Sequence, residues 1–210
     1  MSESESRWPK FIQPRNGYRF SQDAVALAAF AEAGPAESVL DLCSGCGVIP
    51  ILMWQRSPFH YGVGVELDAE LAAVARGNLA TFQLQDQFRL IQADVKSLRS
   101  GDLRSCSSAS PDRFDVVTAN PPYWPAHLGR LNPNLQRAAA RHEISLTLAD
   151  VVATARRFLR PGGRFYLSHL EMRQHEIREH FARNDLEVLR MRRCSGRICR
   201  VLFETHLSQT

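Results

Sequence analysis

Short apolar runs of strand length alternate along the chain with longer segments of helical character. SVLDLC, YGVGVE, FRLIQAD and FDVVTA read as strands; a helix is expected from about Val48 and another from Ala69 to Ala80. Ahead of them, Ser21 to Ala33 (SQDAVALAAFAEA) offers a Ser cap followed by alanine-rich helix formers, and Gly34-Pro35 ends it. Later come a helix from Leu148 to Leu159, a turn at Pro161-Gly162-Gly163, the strand RFYLSHL, a helix from Met172 to Asn184, and two last strands around LEVLRM and CRVLFE. Short strands separated by helices predict an α/β protein whose parallel sheet is covered on both faces. Lys96 to Arg113, rich in Ser and charge, and Trp124 to Glu143 are expected to be mobile loops.

A sheet of this kind carries its ligands at the carboxyl ends of its strands, above all where strand order reverses. The first such end reads D-L-C-S-G-C-G. Gly45 and Gly47 let backbone amides come close to a ligand, because no side chain stands in the way. Cys43 and Cys46 also have the spacing of a redox dithiol, and a helix N-terminus lowers thiol pKa values, so that reading competes. At the second strand end Glu66 lies about twenty residues beyond the glycines, where a carboxylate can accept from two ribose hydroxyls. Asp94, at the third, is placed to hold an adenine amino group. For Glu66 and Asp94 the rival reading is a surface carboxylate capping a helix. A nicotinamide dinucleotide is disfavoured: three positions beyond Gly47 stands Pro50, not glycine.

The fourth strand end is the most informative. DVVTANPPYWP runs from a buried strand straight into Asn120, Pro121, Pro122 and Tyr123. Proline fixes its own backbone and pushes its predecessor toward an extended conformation, so this exit is stiff. The Asn120 side-chain carbonyl and the Pro121 main-chain carbonyl can then accept both hydrogens of a planar amino group. An adenine amino nitrogen is a poor nucleophile because its lone pair is drawn into the ring; two acceptors favour a pyramidal nitrogen aimed at an electrophile. Tyr123 can stack on the extruded ring. The competing reading is a proline-terminated strand whose aromatics pack on the core.

Together DLCSGCG, VGVELD, QAD and NPPY resemble the Rossmann-like, S-adenosylmethionine-dependent methyltransferases of amino groups. NPPYWPAHLGRLNPNLQRAAARHEISLTLADVV and FLRPGGRFYLSHL, with GYRFSQDAVALAAF near the start, are similar to the bacterial enzymes that methylate adenosine N6 just 3′ of the anticodon of a valine tRNA. The resemblance implies a class I fold: a mostly parallel seven-stranded sheet with an antiparallel C-terminal hairpin. It implies S-adenosyl-L-methionine as cofactor and tRNA as partner. Carried onto matching positions, Tyr18 to Asp23 (with Phe20 and Ser21) belong to a cofactor lid, Gly45 and Gly47 to the methionine side, Glu66 to the ribose and Asp94 to the adenine. Asp41, Leu67, Val95 and Asn120 complete the expected cofactor set. Asn120, Pro121, Pro122 and Tyr123 form the target-base clamp, and Arg141, His142 and Glu143 belong to a loop over that base. NPPY also serves enzymes that methylate DNA adenine, ribosomal RNA bases or a protein glutamine amide, and a non-catalytic RNA-binding module is a further alternative.

At 210 residues the chain suits one domain. Residues 1–16 are expected to be a flexible tail, 17–34 the leading lid helix and 35–210 the catalytic core. With 44% hydrophobic and 23% charged residues and no apolar run of membrane-spanning length, the expectation is a cytoplasmic protein without a membrane partner. Five cysteines without an export signal argue for reduced thiols, and no His/Cys/Asp cluster has the spacing of a metal site. The net charge of +4 is uneven: residues 1–105 carry 10 basic and 12 acidic side chains, residues 106–210 carry 16 and 10. Arg190, Arg192, Arg193, Arg197 and Arg200 fall within one acid-free stretch on the expected last hairpin. Arg192, Arg193 and Arg197 are the candidates for gripping tRNA phosphates, against the alternative of a solvated hairpin.

Overall fold

The fold, taken from a computed structural model that describes residues 11–15, 17–103, 112–125, 142–143, 146–194 and 199–208, follows the sequence pattern closely. Its first half alternates α1 (Gln22–Phe30), β1 (Ser38–Leu42), α2 (Val48–Arg56), β2 (Tyr61–Glu66), α3 (Ala69–Thr81) and β3 (Phe88–Gln92). A 3-10 turn (Val95–Ser97) and a short α4 (Ser100–Leu103) lead to β4 (Phe114–Ala119). Two brief strands, β5 (Trp124–Pro125) and β6 (His142–Glu143), pair in parallel. There follow α5 (Leu148–Phe158), β7 (Leu159–Leu170), α6 (Gln174–Ala182), β8 (Leu186–Cys194) and β9 (Arg200–Leu207).

The seven-stranded sheet has the order β3-β2-β1-β4-β7-β9-β8. Its first five strands are parallel, and β9 runs antiparallel to both β7 and β8. Strand order therefore reverses between β1 and β4, which places the ends of both beside a natural ligand crevice. Alternation along the strands feeds two cores. Leu40, Val63, Val117 and Phe165 pack on the face that holds α5, whereas Val39, Val116 and Tyr166 pack with α1 and α2. α5 begins with a reciprocal capping box, in which Thr147 accepts from the Asp150 amide and Asp150 accepts from the Thr147 amide. At the far end of α1, Arg56 of α2 donates to the carbonyls of Ala28 (2.6 Å) and Ala31, fixing the leading helix to its neighbour.

Several expectations need correction. α1 ends at Phe30, and although Ser21 stands at its N-cap with an extended backbone, the hydroxyl makes no capping bond. The turn Pro161-Gly162-Gly163 does not precede β7 but bulges within it: pairing with β4 jumps from Phe114↔Leu159 to Val116↔Arg164. Part of the supposed tail is docked. Phe11 is buried against Phe20 and Phe82, and Ile12 is held through both backbone groups by Asn78. Of the loop expected from Lys96 to Arg113, the first residues form the 3-10 turn and α4, while 104–111 lie outside the described residues.

Candidate active site

The segment after β1 turns sharply because Cys43 adopts φ 60°, outside the strand it was expected to end. Gly47 has φ 76° and caps α2, a conformation that glycine takes without strain. Close approach of this loop to the sheet depends on Gly64 of β2, where an added Cβ would sit 2.6 Å from the Ser44 hydroxyl oxygen and 2.6 Å from Leu90. Two buried polar groups then lock the loop. Asp41 accepts from the hydroxyls of Ser44 and Thr118, the latter at 2.6 Å. Asn78 of α3 donates to the Cys46 carbonyl at 2.8 Å. Neither cysteine is poised for redox work: burial pushes the Cys46 thiol up to about 12 and that of Cys43 well above its ordinary value, and both thiols are free.

Burial also raises the Asp41 carboxyl to about 7, opposed by its two hydroxyl donors. Folded Asp41 thus keeps its proton to near neutrality, whereas the unfolded chain loses it near pH 3.9. Its stabilising contribution is complete below about pH 3.9 and is lost as pH rises toward 7. Asp41→Asn, which cannot ionise, is expected to gain on the parent over that window by up to about 1.4 kcal/mol per pH unit. Urea unfolding of both proteins between pH 5 and 8 checks this; a constant difference would mean that Asp41 ionises normally.

At the tip of β2, Glu66 is 9% exposed, and each of its oxygens accepts one backbone N–H, from Gly45 at 2.7 Å and from Asp68 at 2.9 Å. Burial pushes its carboxyl up while these amides favour the charged form. Each carboxylate oxygen keeps a second lone pair for a ligand. Glu66 borders a cavity of about 380 Å³ whose wall is shared by the glycine loop, the β3 end at Asp94 and Val95, and Leu67. Tyr18, Phe20 and Ala24 close it from the leading segment, and Asn120 and Pro122 from the β4 exit. Burial raises the Tyr18 phenol well above its usual range, so it is neutral at physiological pH.

Asn120 follows β4 directly, and its side-chain oxygen is buried without any hydrogen-bond partner among the described residues. A buried carbonyl of this kind is costly unless something else satisfies it, and it lies on a cavity wall. A nucleoside cofactor fits the acceptors on this wall, the Glu66 and Asp94 carboxylates, and the unmet Asn120 carbonyl is left to accept from an amino group.

The family of methyltransferase small domains matches residues 22–189 of the chain. The chain belongs to that family. Curated relatives within this methyltransferase group include two named tRNA1(Val) (adenine(37)-N6)-methyltransferase. That of Porphyromonas gingivalis is 33% identical over 71% of this chain and 57% of its own length. That of Phocaeicola vulgatus is 32% identical over 72% and 59%. The chain thus spans less than two thirds of these relatives' length. Among solved structures, TrmN from Thermus thermophilus superposes with a TM-score of 0.67 at 22% identity, over 97% of this chain and 53% of that one, a likeness of fold.

The methyltransferase fold brings Tyr18, Phe20, Gly45, Glu66, Leu67, Asp94, Val95, Asn120 and Pro122 to one cavity. Asp41, also expected there, is wholly buried behind the wall and acts on the loop. Asp23 faces Arg200, and Tyr123 lies at the rim with its hydroxyl 3.5 Å from Asp23. His142 pairs through its backbone with Trp124, next to the NPPY exit. Arg141 and Arg197 lie outside the described residues. Two residues that hold the site carry no signal in the sequence: Asn78, whose helical position gives no hint of its partners, and Arg200, which the sequence groups with the solvent-facing arginines. No described helix is long and apolar enough to cross a membrane, and no group of His, Cys, Asp and Glu among the described residues could hold a metal ion.

Proposed function

We propose that this domain transfers a methyl group from S-adenosyl-L-methionine to the N6 amino group of an adenine in tRNA, and that the target is adenosine 37 of a valine tRNA. The unpaired, buried Asn120 carbonyl on the cavity wall carries this reading. The cofactor, when bound, supplies an electrophilic methyl on a sulfonium sulfur. Glu66 accepts from the ribose, and the loop from Cys43 to Gly47 shapes the methionine side. Asn120 and Pro121 would accept the two amino hydrogens of the target and so aim the nitrogen lone pair at the methyl that the cofactor would supply. Tyr123 stacks on the base. Holding nucleophile and methyl at near-attack distance supplies most of the rate enhancement. Residues 17–34 serve as the cofactor lid and 35–210 as the catalytic core of an enzyme that meets tRNA in the cytoplasm.

Incubating the protein with unmodified valine tRNA and S-adenosylmethionine, then analysing nucleosides by mass spectrometry, tests the proposal. N6-methyladenosine is expected, and its loss is expected when guanosine replaces adenosine 37. Methylation confined to ribosomal RNA, DNA or a glutamine amide would overturn the substrate, and no product with any of them would favour a non-catalytic module.

The hairpin arginines bear on how tRNA is held. Arg190 binds Glu204 (2.6 Å) and Glu32 (3.1 Å), while Arg193 pairs with Glu171 at 2.6 Å on the opposite face. Arg192 lies over the Phe30 ring at 5.0 Å. Arg193 is 67% exposed, so its ion pair is weak and open to exchange for phosphate. Changing Arg192, Arg193 and Arg197 to Gln is expected to flatten the log–log salt dependence of tRNA binding by roughly 0.7–0.9 for each phosphate no longer neutralised. Equal slopes for both proteins would place the RNA on another surface.

A further inference from the structure

Tyr123 is gripped from several directions. Its main-chain carbonyl accepts from Arg173 at 3.2 Å, and Arg173 is braced by two bonds to Glu176 at 2.8 and 2.6 Å. The guanidinium of Arg200 lies 4.4 Å from the centroid of the Tyr123 ring, and its Nη2 donates to the ring's hydroxyl at 2.8 Å. The His169 ring meets Tyr123 edge-on at 6.1 Å. Burial holds the His169 pKa down at about 3, so it adds no second charge beside the cation.

Arg200 opens β9 opposite Leu170 of β7 and is only 6% exposed. Its Nε lies 3.2 Å from the Asp23 carboxylate, yet Nε and Nη1 make no hydrogen bond among the described residues. A buried cation with Nη1 unmet and Nε held by an ion pair alone is a poor means of stabilising a fold, since such pairs are often replaced by apolar side chains without loss. The geometry matters for a different reason. Asp23 lies in α1 next to Ala24, which lines the cavity, so Arg200 connects the cavity's lid to the aromatic ring at its rim.

We infer that Arg200 is a positioning residue: it covers one face of Tyr123, bonds its hydroxyl and ties that ring to the helix that closes the cofactor cavity. This rests on the reading of Tyr123 as the stacking platform for an extruded adenine. Loss of the guanidinium removes the bond to the ring's hydroxyl and the cover on that face, while Asn120 stays in place. Misplacing the base by about 1 Å is enough to cost on the order of 100-fold in rate.

The test compares Arg200→Met with the double variant Asp23→Asn/Arg200→Met, which removes the part-buried carboxylate that the single variant leaves without its arginine. Each protein carries 3-fluorotyrosine at position 123 alone, and its fluorine resonance, thermal stability, affinity for S-adenosylhomocysteine, kcat and KM are measured. The resonance is expected to shift or broaden in both variants, and kcat to fall on the order of 100-fold, beyond any change in affinity for the cofactor product. The double variant is expected to recover stability but not kcat. An unmoved resonance, or a kcat that recovers with stability, would reduce Arg200 to a structural role and overturn the inference. If the parent protein methylates no adenine while the resonance still moves, the functional reading fails and the control of the ring by Arg200 stands.

Discussion

Asn120→Ala is expected to reduce methyl transfer by roughly 10²–10³-fold, the scale on which a single preorganised polar group acts on a transition state. Its side-chain oxygen is buried and unpaired, so its removal leaves no partner stranded and should not destabilise the fold. The stiff Asn120-Pro121-Pro122 backbone remains, and with it the Pro121 carbonyl, so the target base still enters but one of its amino hydrogens goes unmet. Asn120 shares the wall of the cofactor cavity, yet Glu66, Asp94 and the glycine loop lie on its other strand ends, and affinity for S-adenosylmethionine should change little. Single-turnover rates with saturating tRNA, alongside calorimetric titration of the cofactor, separate these effects. Full activity in the variant would remove the clamp from the mechanism. A loss confined to cofactor affinity would move Asn120 into the cofactor site alone.

The elements around this site are largely readable from the chain. β1, β2, β3 and β4 are short apolar runs, and the features that end them (glycines, Glu66, Asp94 and two prolines) are local signals with local physical meanings. What the sequence conceals depends on residues far apart in it. Asn78 reaches Ile12 across 66 positions and Arg200 reaches Tyr123 across 77, distances over which no periodicity carries information. The resemblance makes Asp41 a cofactor residue, but alternation along β1 turns it inward onto Thr118, its partner across the β1–β4 pairing. The hairpin arginines can be sorted from sequence by face alone. Period two places Arg190 and Arg192 together and Arg193 opposite, and the structure agrees, but the carboxylates waiting at Glu204, Glu32 and Glu171 come from other elements.

Glu66→Ala is expected to weaken S-adenosylmethionine binding by roughly 1.5–3 kcal/mol, the scale of a charge-assisted hydrogen bond. That corresponds to about 10- to 150-fold in Kd. Two causes act in the same direction. The variant loses the acceptor proposed for the ribose, and it also releases the Gly45 and Asp68 amides, which the carboxylate now holds at 2.7 and 2.9 Å. Glu66→Gln separates them. Its amide oxygen can still accept one of the two backbone hydrogens, and its shape keeps the loop in place, but the charge that strengthens the ribose bonds is gone. If the charge dominates, Gln and Ala should bind the cofactor about equally poorly; if loop support dominates, Gln should bind nearly as well as the parent. The first outcome is expected, because Asp41 and Asn78 hold the loop independently through Ser44 and Cys46. An unchanged Kd in Glu66→Ala would place the nucleoside away from the β2 tip and with it the whole assignment of the cavity.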